Sequence, residues 1–514
     1  MSKILLIGGT DPSGAGLQAD WKVAHHLNAN SSSIVTAVTS QNSEGVFDQG
    51  VLPYSQIKSQ LDCVKNESFS AIKIGMLGNA EVVKAVVDFI YYQKESNNKL
   101  SVILDPVLAS SSGGTLIDEG GKQALLNDLL PLLTLVTPNI HELEILMNAN
   151  FTSYQALEHA AQQLITLGAK NLLIKGGHFK DRNDNKLNEK TSNDFFISND
   201  GSANIKGEEE SFYLKGYRWQ DRINVRGTGC SLATAIACQL NKDFPLNDSV
   251  VYAKALVSNG IRNAILSENG QYTLQFSHFD TQHPFEFIDM PELVKSEDLL
   301  TEKYEFSSCN SKAPNNSLGI YPVVDSVDWL KKLIPLGIET IQLRIKDKKP
   351  ADVEDDIIAA IKLGREHNIR LFINDYWPLA VKHKAYGIHL GQEDLDEADM
   401  ATIAASGCRL GVSTHSYTEV SRALQISPSY LALGPIFATS SKQMPWIPQG
   451  VPAVRQWVAL LNKDYPLVAI GGINFERAKA LKQTDIGSIA MISEITKADD
   501  YKQVTKSLLK LWAS

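Results

Sequence analysis

The sequence predicts two α/β domains: an open, mostly parallel sheet flanked by helices, followed by a closed (β/α)8 barrel. A length of 514 residues exceeds what one ordinary hydrophobic core accommodates, so at least two domains are expected. Short apolar, β-branched runs alternate with helical stretches from residue 1 to about residue 270, which is typical of a parallel sheet covered by helices. A second alternation starts at Leu318 and contains eight such runs, which indicates a compact barrel.

In the first domain, six runs predict the strands of the parallel sheet: KILLIGG, SIVTAVTSQ, AIKIGML, SVILDPV, LVTPN and NLLIKGG. Two further runs, DFFIS and SFYLKGYR, flank a polar Gly/Glu stretch and predict an added antiparallel hairpin before the helix that holds Cys230. The alternation is lost over residues 271–316, which end in a Ser/Asn/Pro stretch, so we expect a partly ordered connector there. The predicted domains are therefore 1–270 and 317–514.

In the second domain, the predicted strands are LGIYPVVD, TIQLRIK, RLFIND, GIHLG, RLGVSTH, YLALGPIF, PLVAIGGI and GSIAMIS. Polar side chains follow these runs, where the functional groups of such a barrel lie. Each one alone is as consistent with loop capping as with function, and their coincidence at many strand ends favours a site. They are Arg344, Lys346, Asn374, Asp375, Asp394, Ser413, His415, residues 439–442, Gly472 and Ser493.

The composition argues against several classes of partner. Lys and Arg number 49 against 58 Asp and Glu, a net charge of −9 with no long basic run, so nucleic acid is not an expected partner. No apolar run approaches the roughly 20 residues that cross a bilayer, and MSKILLIGG leads into strand-like sequence without a secretory signal. We therefore expect a cytoplasmic protein that binds no membrane. Five widely spaced cysteines without a CxxC pair indicate neither a disulfide framework nor a zinc site.

Two glycine-rich stretches suggest phosphate binding. GAGLQA fits a G-x-G-x-x-A dinucleotide fingerprint, but the next strand ends in SQN instead of an acidic residue, which argues against that function. The sequence also has no Walker A loop. GTGC at residues 227–230 precedes a predicted helix, where unpaired N–H groups attract anions, although a tight turn capped by Thr228 explains the same residues.

Eight motifs occur in order within about residues 1–265: GTDPSG, QAD, SQN, KIGML, LDPV, TPNIHE, KGGH and GTGC. Together they resemble hydroxymethylpyrimidine (phosphate) kinase, a ribokinase-like enzyme that phosphorylates the thiamine pyrimidine twice. The resemblance implies that the pyrimidine is held by Gly9, Asp20, Gln41 and Met76. It also implies an ATP and Mg2+ region at Asp105, Asn139 and Glu142, and a catalytic set of Lys175, Gly227, Gly229 and Cys230.

The chemistry of these residue types agrees with the resemblance. A carboxylate and an amide, as at Asp20 and Gln41, complement the edge of an aminopyrimidine, although a solvated helix carboxylate and a loop cap are the alternatives. Lys175 follows a predicted strand and could reach phosphate oxygens. Asp105 and Glu142 offer the oxygen ligands that Mg2+ prefers.

Cys230 stands at the first turn of a predicted helix, where related kinases of this fold carry an aspartate base. A thiol at a helix N-terminus has a lowered pKa and could accept the proton of the substrate hydroxyl. Phosphoryl transfer depends mainly on positioning and charge stabilisation, so the N–H groups of residues 227–230 are expected to contribute more. A small, nearly neutral residue also avoids repelling the phosphate that the second transfer brings to this position.

Seven motifs lie one per strand end in the second alternation: QLRIK, IND, GIHLGQED, GVSTH, GPIFATSSK, AIGGI and AMIS. The series resembles thiamine phosphate synthase, a TIM-barrel enzyme, over about residues 318–510. The resemblance implies diphosphate contacts from Gln342, Arg344, Lys346, Asn374, Ser413 and Lys442, and magnesium ligands Asp375 and Asp394. It implies that the thiazole phosphate is received by Thr439, Ser441, Gly472, Ile492 and Ser493.

Several positions depart from these family patterns or are left without a role. The first loop, PSGAG, lacks a glycine that the kinase family usually has. Arg226 stands where a histidine is frequent and could add a phosphate contact. Ile345 replaces a glutamate that is common in the synthase motif QLREK. His389 and His415 are assigned no catalytic role.

We therefore predict a bifunctional enzyme of thiamine biosynthesis that acts on small molecules and uses Mg2+, with ATP as the phosphoryl donor. It makes hydroxymethylpyrimidine diphosphate and couples it to thiazole phosphate. One alternative is a pyridoxal-type kinase fused to a thiazole tautomerase-like barrel, but a tautomerase has no pyrophosphate to bind with Asp375, Asp394 and the QLR-K pair. Another is a non-catalytic, ligand-binding regulatory protein, whose signature would be lost metal carboxylates or a broken GTGC. Whether the chain forms a homo-oligomer is left open.

Overall fold

The structure, a computed structural model, describes residues 3–42, 45–109, 114–177, 179, 190–199, 201, 210–222, 225–267, 270–276, 287–299, 301, 303–309, 317–438, 448–461 and 464–513. The chain divides into two compact units. The first comprises Met1–His278 and Ile288–Thr301, and the second comprises Phe279–Phe287 and Glu302–Ser514. An open sheet in the first unit and a closed barrel in the second confirm the predicted fold class.

The strands of the first unit are β1 (Lys3–Thr10), β2 (Ser31–Gln41), β3 (Val46–Val51), β4 (Phe69–Ile74), β5 (Ser101–Leu104), β6 (Leu135–Val136), β7 (Asn171–Ile174), β8 (Thr191–Ser198), β9 (Glu210–Tyr217), β10 (Val225–Arg226), β11 (Ile265–Leu266), β12 (Tyr272–Thr273) and β13 (Glu292–Val294). Ten of them, counted over the described residues, form one sheet in the order β13-β9-β8-β7-β6-β5-β4-β1-β2-β3. The pairs from β7 through β2 are parallel, whereas β3, β8, β9 and β13 pair antiparallel with their neighbours. The central strands are almost continuously apolar, as expected for a parallel sheet covered on both faces.

The helices of the first unit are α1 (Leu17–His26), α2 (Tyr54–Val64), α3 (Ala80–Ser96), α4 (Glu119–Ala124), α5 (Ile140–Met147), α6 (Tyr154–Thr166), α7 (Thr228–Leu240) and α8 (Leu246–Arg262), with short π and 3-10 turns at Leu125–Leu129, Leu130–Leu132 and Ser296–Asp298. Helix α7 follows the glycine turn, and its residues from Ser231 to Gln239 are all buried. This central position places the first turn of α7 beside the carboxyl ends of the parallel strands, where α/β proteins of this kind bind ligands.

Two antiparallel strand pairs in the first unit can be compared with the strands predicted from the sequence. The predicted hairpin is present as β8 and β9, which pair antiparallel along their whole length. Strand β3, which pairs antiparallel with β2, was not predicted. Its sequence, VFDQGV, interrupts the apolar pattern with Asp48 and Gly50, and both of its faces are partly exposed. An exposed strand that is paired on one side carries little of the burial pattern on which such predictions rest.

The predicted connector contains ordered segments. Phe287–Asp289 forms a 3-10 turn, and Glu292–Val294 adds an edge strand to the sheet of the first unit. Cys309 is buried in the core of the barrel. Residues 288–301 therefore pack on the first unit and residues 303–309 on the second. The boundaries predicted from the sequence leave out both segments, because short irregular segments have no hydrophobic period to detect.

The second unit is a closed barrel whose eight strands, within the described residues, each pair in parallel with the next, while the last pairs with the first. The strands are β14 (Gly319–Val324), β15 (Thr340–Leu343), β16 (Arg370–Asn374), β17 (Gly387–Leu390), β18 (Arg409–Thr414), β19 (Tyr430–Leu433), β20 (Leu467–Ile470) and β21 (Ser488–Met491). Each lies within one of the eight predicted runs.

The helices of the second unit are α9 (Val327–Leu333), α10 (Pro350–Glu366), α11 (Trp377–Lys382), α12 (Met400–Ala405), α13 (Tyr417–Ile426), α14 (Gly450–Leu461), α15 (Phe475–Lys482), α16 (Ser493–Thr496) and α17 (Tyr501–Ala513), with a 3-10 turn at Ile334–Leu336. Because strands and helices alternate, every strand of the barrel ends at the same rim. Over the described part of both units, no helix has the length and apolar character needed to cross a bilayer.

Candidate active sites

The glycine turn at residues 227–230 packs the start of α7 against two strand ends of the sheet. Gly227 has a left-handed φ of 77° and precedes the helix. A Cβ atom at Gly229 would lie 2.9 Å from Lys175 Nζ and 3.4 Å from Asp105 Oδ2. Glycine at position 229 therefore lets the helix N-terminus approach a charged pair closely. The first N–H groups of a helix lack partners within the helix, so this turn can donate them to an anion.

Lys175, Asp105 and Glu142 form a buried charged cluster beside the turn. Lys175 Nζ lies 2.5 Å from Asp105 Oδ1 and 3.8 Å from Glu142 Oε2. Asn139 positions Glu142, because the two residues exchange side-chain to backbone hydrogen bonds in a capping box at the start of α5. The structure thus brings together the four residues predicted for ATP, Mg2+ and phosphate contacts, at the carboxyl ends of β5, β6 and β7.

Burial and mutual attraction determine the protonation of this cluster. Burial disfavours the charge of Asp105, but Lys175 and then Lys73 outweigh it and lower the pKa of this carboxyl. At Glu142 burial dominates and raises the pKa to about 7. At Lys175 the Asp105 and Glu142 carboxylates outweigh burial and raise the pKa of the ammonium. Near neutral pH the cluster therefore has a charged Asp105–Lys175 pair and one carboxyl that can gain or lose a proton.

The Cys230 thiol is neutral in this environment, so the lowered pKa expected from its position at a helix N-terminus was wrong. Burial is the main cause and raises the pKa of the thiol to about 12, although the Lys73 ammonium acts in the opposite direction; the Asp105 and Asp20 carboxylates also raise this pKa. Asp105 also accepts a hydrogen bond from the thiol. The sequence showed the helix start but not the burial or the carboxylates around it.

Asp20 is fully buried in an internal ion pair. Lys73 Nζ contacts both oxygens of the Asp20 carboxylate at 2.9 Å, and Thr234 Oγ1 donates to one of them at 2.8 Å. The alternative of a solvated helix carboxylate is therefore excluded, because the Asp20 side chain is 0% exposed. The role of Lys73 was not predicted from the sequence. A lysine inside the otherwise apolar strand AIKIGML was the feature that could have indicated a buried ion pair. The direct contact of Asp20 with a pyrimidine stays a prediction.

A hydrogen-bond network connects Gln41 to Arg226. Gln41 Nε2 donates to Asp11 Oδ2 at 2.5 Å, and Asp11 Oδ1 accepts from the N–H and the hydroxyl of Ser13. Arg226 donates to Ser13 Oγ at 3.0 Å and to the carbonyl oxygen of Asn42 at 2.5 Å. Because Asp11 engages the amide nitrogen of Gln41, the amide oxygen of this side chain is the group that can accept from a ligand amine.

Gly9 and Met76 are neighbours on the same part of the sheet. The Met76 thioether packs against Gly9. Met76 also belongs to a small apolar cluster with Ala37 and Leu116. An apolar wall of this kind suits one face of a flat ring, because methionine adapts its shape and its sulfur contacts aromatic rings favourably.

A charged group of side chains lies at the rim of the barrel. Lys346 Nζ is 2.5 Å from Asp375 Oδ2, and Asp375 has a left-handed φ of 64°. Burial and then the charge of Asp375 raise the pKa of Asp394. Arg344 and Lys346 both act electrostatically on the same interior histidine, so they share this end of the barrel. Ile345, which replaces the glutamate of the family motif, is buried.

Each unit offers two carboxylates that could hold a magnesium ion. They are Asp105 and Glu142 in the first unit, and Asp375 and Asp394 in the second. Mg2+ is commonly held by one or two carboxylates together with substrate phosphates and water, so these donor sets fit it. In the second unit the Asp375 carboxylate adds to burial in raising the pKa of Asp394, and a bound cation would offset that repulsion.

Gln342 and Asn374 lie side by side in the barrel interior near its rim. Gln342 Nε2 donates to Asn374 Oδ1 at 2.6 Å. This contact fixes the orientation of the Asn374 amide, because the oxygen faces Gln342 and Nδ2 points away from it. Asn374 Nδ2 is buried and has no hydrogen-bond partner among the described residues. An unsatisfied buried donor is costly. This amide is therefore suited to donate to an oxygen of a ligand.

Ser413, at the end of β18, is hydrogen-bonded to a histidine that sequence reasoning left without a role. Ser413 Oγ lies 2.8 Å from His389 Nε2, and His389 Nδ1 lies 2.6 Å from the Tyr430 hydroxyl. Burial lowers the pKa of His389 to about 4, so the imidazole is neutral at physiological pH. The signal in the sequence was a histidine inside the apolar strand GIHLG.

The residues predicted for thiazole phosphate are described in part. Gly472 has a φ of 60°, and a Cβ atom there would lie 2.4 Å from the carbonyl oxygen of Ala438, so only glycine fits. Ile492 and Ser493 lie where β21 leads into α16. The remaining predicted residues lie outside the described part of the chain: Thr439, Ser441 and the diphosphate ligand Lys442.

The chain therefore joins an α/β unit, whose glycine turn lies beside a buried charged cluster, to a (β/α)8 barrel with a charged rim. The phosphomethylpyrimidine kinase family matches residues 11–275, and the thiamine monophosphate synthase family matches residues 320–495. The chain belongs to both families. It is a bifunctional transferase of thiamine biosynthesis, as the sequence predicted.

Individual relatives cover one unit each. Thiamine-phosphate synthase of Proteus mirabilis is 56% identical over 206 residues, which are 40% of this chain and 95% of that protein. The Salmonella typhimurium synthase is 57% identical over 194 residues, 38% of this chain and 92% of that protein. A solved phosphomethylpyrimidine kinase from Clostridium difficile is 27% identical, with a TM-score of 0.40, and covers 51% of this chain and 100% of its own. A pyridoxal kinase from Staphylococcus aureus is 25% identical, with a TM-score of 0.47, over 57% of this chain and 97% of its own.

Proposed function

We propose that the first unit transfers phosphoryl groups from ATP to hydroxymethylpyrimidine and then to its monophosphate, and that the second unit couples the resulting diphosphate to thiazole phosphate. One observation carries this proposal. Each unit holds a lysine ammonium 2.5 Å from an aspartate at a strand end, as Lys175 with Asp105 and as Lys346 with Asp375. Such a cation can bind and orient phosphate oxygens while the carboxylate shares a metal ion with them.

In the first unit, Lys175 and the N–H groups of residues 227–230 stabilise the charge of the transferred phosphoryl group. Its bond to the ADP oxygen breaks as its bond to the substrate hydroxyl oxygen forms. Mg2+, when bound at Asp105 and Glu142, supplies further positive charge to the phosphates. The hydroxyl proton does not pass to Cys230, because this thiol is already protonated. It passes to an oxygen of the transferred phosphoryl group as the new P–O bond forms, and from there to solvent. A loose transition state requires little help from a base, so positioning carries the catalysis.

The neighbouring residues bind the pyrimidine ring, and one of them distinguishes hydroxymethylpyrimidine from its monophosphate. The amide oxygen of Gln41 accepts from the ring amine, and Met76 and Gly9 form the wall beside the ring. Asp20 contributes its negative charge, which the Lys73 ammonium balances. In the second transfer, Arg226 can exchange its two neutral acceptors for the phosphate of the monophosphate substrate, which is a stronger acceptor.

In the second unit, the diphosphate is the leaving group. The groups proposed to hold it are Gln342, Arg344, Lys346, Asn374, Ser413 and Lys442, with Mg2+ at Asp375 and Asp394. The C–O bond to the pyrimidine CH2 group breaks, and both electrons leave with pyrophosphate. The electron-rich aminopyrimidine stabilises the cationic carbon, and the thiazole nitrogen then donates its lone pair to it. No protein nucleophile and no proton transfer are needed.

The thiazole phosphate is proposed to lie at the ends of the last three strands, with Gly472 and Ser493 among its contacts. A tautomerase-like barrel is the less favoured function, because it would give Lys346, Asp375 and Asp394 nothing to bind. A cytoplasmic location, and the absence of nucleic-acid and membrane partners, remain predictions of the sequence.

The test is a one-pot reaction of the purified protein with hydroxymethylpyrimidine, ATP, Mg2+ and thiazole phosphate, followed by liquid chromatography. We expect thiamine phosphate to form. Asp375→Ala should stop the reaction with pyrimidine diphosphate accumulating, whereas Asp396→Ala, which removes a 51% exposed carboxylate paired with Arg422, should not. Continued formation of thiamine phosphate by Asp375→Ala would contradict the assignment.

A further inference from the structure

A chain of buried hydrogen bonds crosses the barrel interior and ends at the proposed diphosphate site. The Tyr321 hydroxyl on β14 lies 2.9 Å from the Tyr430 hydroxyl on β19. The Tyr430 hydroxyl lies 2.6 Å from His389 Nδ1 on β17, and His389 Nε2 lies 2.8 Å from Ser413 Oγ on β18. Tyr321 and Tyr430 are also part of the apolar barrel core, so water does not separate these groups from one another.

The hydrogen atoms of this chain can point in two directions. In the first, Tyr321 donates to Tyr430, Tyr430 donates to His389 Nδ1, and the His389 Nε2–H group donates to Ser413. In the second, Ser413 donates to His389 Nε2, the His389 Nδ1–H group donates to Tyr430, and Tyr430 donates to Tyr321. The hydroxyl hydrogen of Tyr321 then has no acceptor within the relay. Tyr430 is the polar partner of Tyr321 within the described residues, so that hydrogen would be buried without an acceptor.

The first direction is the favourable one. An unsatisfied buried donor costs more than an unused lone pair of a hydroxyl oxygen, and the first direction leaves only a lone pair unused. It also requires the neutral Nε2–H tautomer of His389, which has one donor and one acceptor. Ser413 then accepts from His389, so its own hydroxyl hydrogen points elsewhere.

We propose that Tyr321, Tyr430 and His389 form a relay that fixes the Ser413 hydroxyl as a hydrogen-bond donor to the pyrimidine diphosphate. His389 and Tyr430 are positioning residues, because they act through Ser413. This inference rests on the proposed contact between Ser413 and the diphosphate. Without the relay, Ser413 could donate to a histidine nitrogen instead, and binding the anion would then require reorienting both groups.

The kinetic test removes the Tyr430 hydroxyl and keeps the ring. In Tyr430→Phe the imidazole loses the donor that holds its tautomer, so we expect the KM for pyrimidine diphosphate to rise roughly five- to twentyfold. The KM for thiazole phosphate should change by less than about twofold. Tyr386→Phe is the matched control, since it removes a barrel tyrosine hydroxyl that donates to the Cys309 carbonyl oxygen outside the relay. Equal effects of both variants would overturn the relay.

A double-mutant cycle with Ser413→Ala separates this inference from the proposed function. In the Ser413→Ala background, Tyr430→Phe should have no further effect on the KM for the diphosphate. If Ser413→Ala raises that KM but Tyr430→Phe does not, the relay is wrong and the diphosphate contact stands. If Ser413→Ala leaves the KM unchanged, the diphosphate contact is wrong and the relay falls with it.

A spectroscopic measurement on the unmodified protein tests the direction of the relay, and a variant serves only to assign the signal. Nitrogen-15 NMR of histidine-labelled protein, with His389 assigned by comparison with His389→Asn, distinguishes the two neutral tautomers. We expect the hydrogen on Nε2. A hydrogen on Nδ1 would reverse the relay and overturn the proposal.

Discussion

The two active sites use the same charged pair in different surroundings. In the first unit the Lys175 side chain is 13% exposed and that of Asp105 is 3% exposed, whereas in the second Lys346 is 43% and Asp375 23% exposed. Removing one partner of a buried pair leaves an uncompensated charge in the interior. At an exposed pair, water replaces the lost partner. The same pair should therefore support both folding and catalysis in the first unit and mainly catalysis in the second.

The largest effect that would test this comparison is expected from Lys175→Met. Both phosphorylations should be lost, and the unfolding free energy of the first unit should fall by about 3–5 kcal/mol, because Asp105 and Glu142 lose their cation. Denaturant unfolding and a kinase assay measure the two effects. Lys58→Met is the control, since Lys58 is 54% exposed in its pair with Asp62 and its loss should leave the unfolding free energy unchanged. Unchanged stability of Lys175→Met would contradict the comparison.

The matching substitution in the second unit is Lys346→Met. We expect the rate of thiamine phosphate formation to fall about 100-fold, because a cation that stabilises the leaving pyrophosphate is lost. The unfolding free energy should change by less than about 0.5 kcal/mol. Lys382→Met, which removes a 61% exposed lysine paired with Glu354, should leave the rate unchanged. A large loss of stability in Lys346→Met would remove the proposed difference between the units.

A smaller effect sharpens the comparison within the kinase site. Arg226→Gln should lower kcat/KM for the second phosphorylation about tenfold, because a charge-assisted contact to the substrate phosphate is lost. The first phosphorylation should change by less than about twofold. Arg222→Gln, a nearby arginine that pairs with Asp221, should alter neither step. If kcat/KM falls equally for both phosphorylations, the role of Arg226 is only structural: its hydrogen bonds connect the PSGAG loop to the residue that follows β2.

The smallest effect is expected from Cys230→Ser. Because its raised pKa of about 12 keeps the thiol protonated throughout the working range, a serine hydroxyl should replace it with less than about a threefold change in either phosphorylation rate. The pH–rate profile between about pH 6 and 9 should keep its shape. Loss of a general base typically lowers the rate about 10²–10⁴-fold. A rate loss of that size, together with an altered pH–rate profile, would show that the Cys230 thiol acts as the general base.

Much of the fold could be predicted because its signals are local. The eight strands of the barrel and the two strands of the β8–β9 hairpin each correspond to an apolar run that is bounded by polar residues. Strands β3 and β13 lack such a run, the first because it is polar and exposed and the second because it has three residues. Candidate site residues could also be nominated from the sequence, because parallel strands end at one edge and polar residues follow them there.

The order of the elements, the two families and the side chains at the strand ends could all be inferred from the amino-acid pattern. The protonation and hydrogen-bond partners of those side chains could not, because they depend on how the chain folds. Asp20 meets Lys73 across 53 positions, the Cys230 thiol is held neutral by burial, and His389 receives its hydrogen-bond direction from a tyrosine 41 positions away. Protonation and hydrogen-bond direction depend on burial and on partners distant in the chain, and neither leaves a periodic pattern in the sequence.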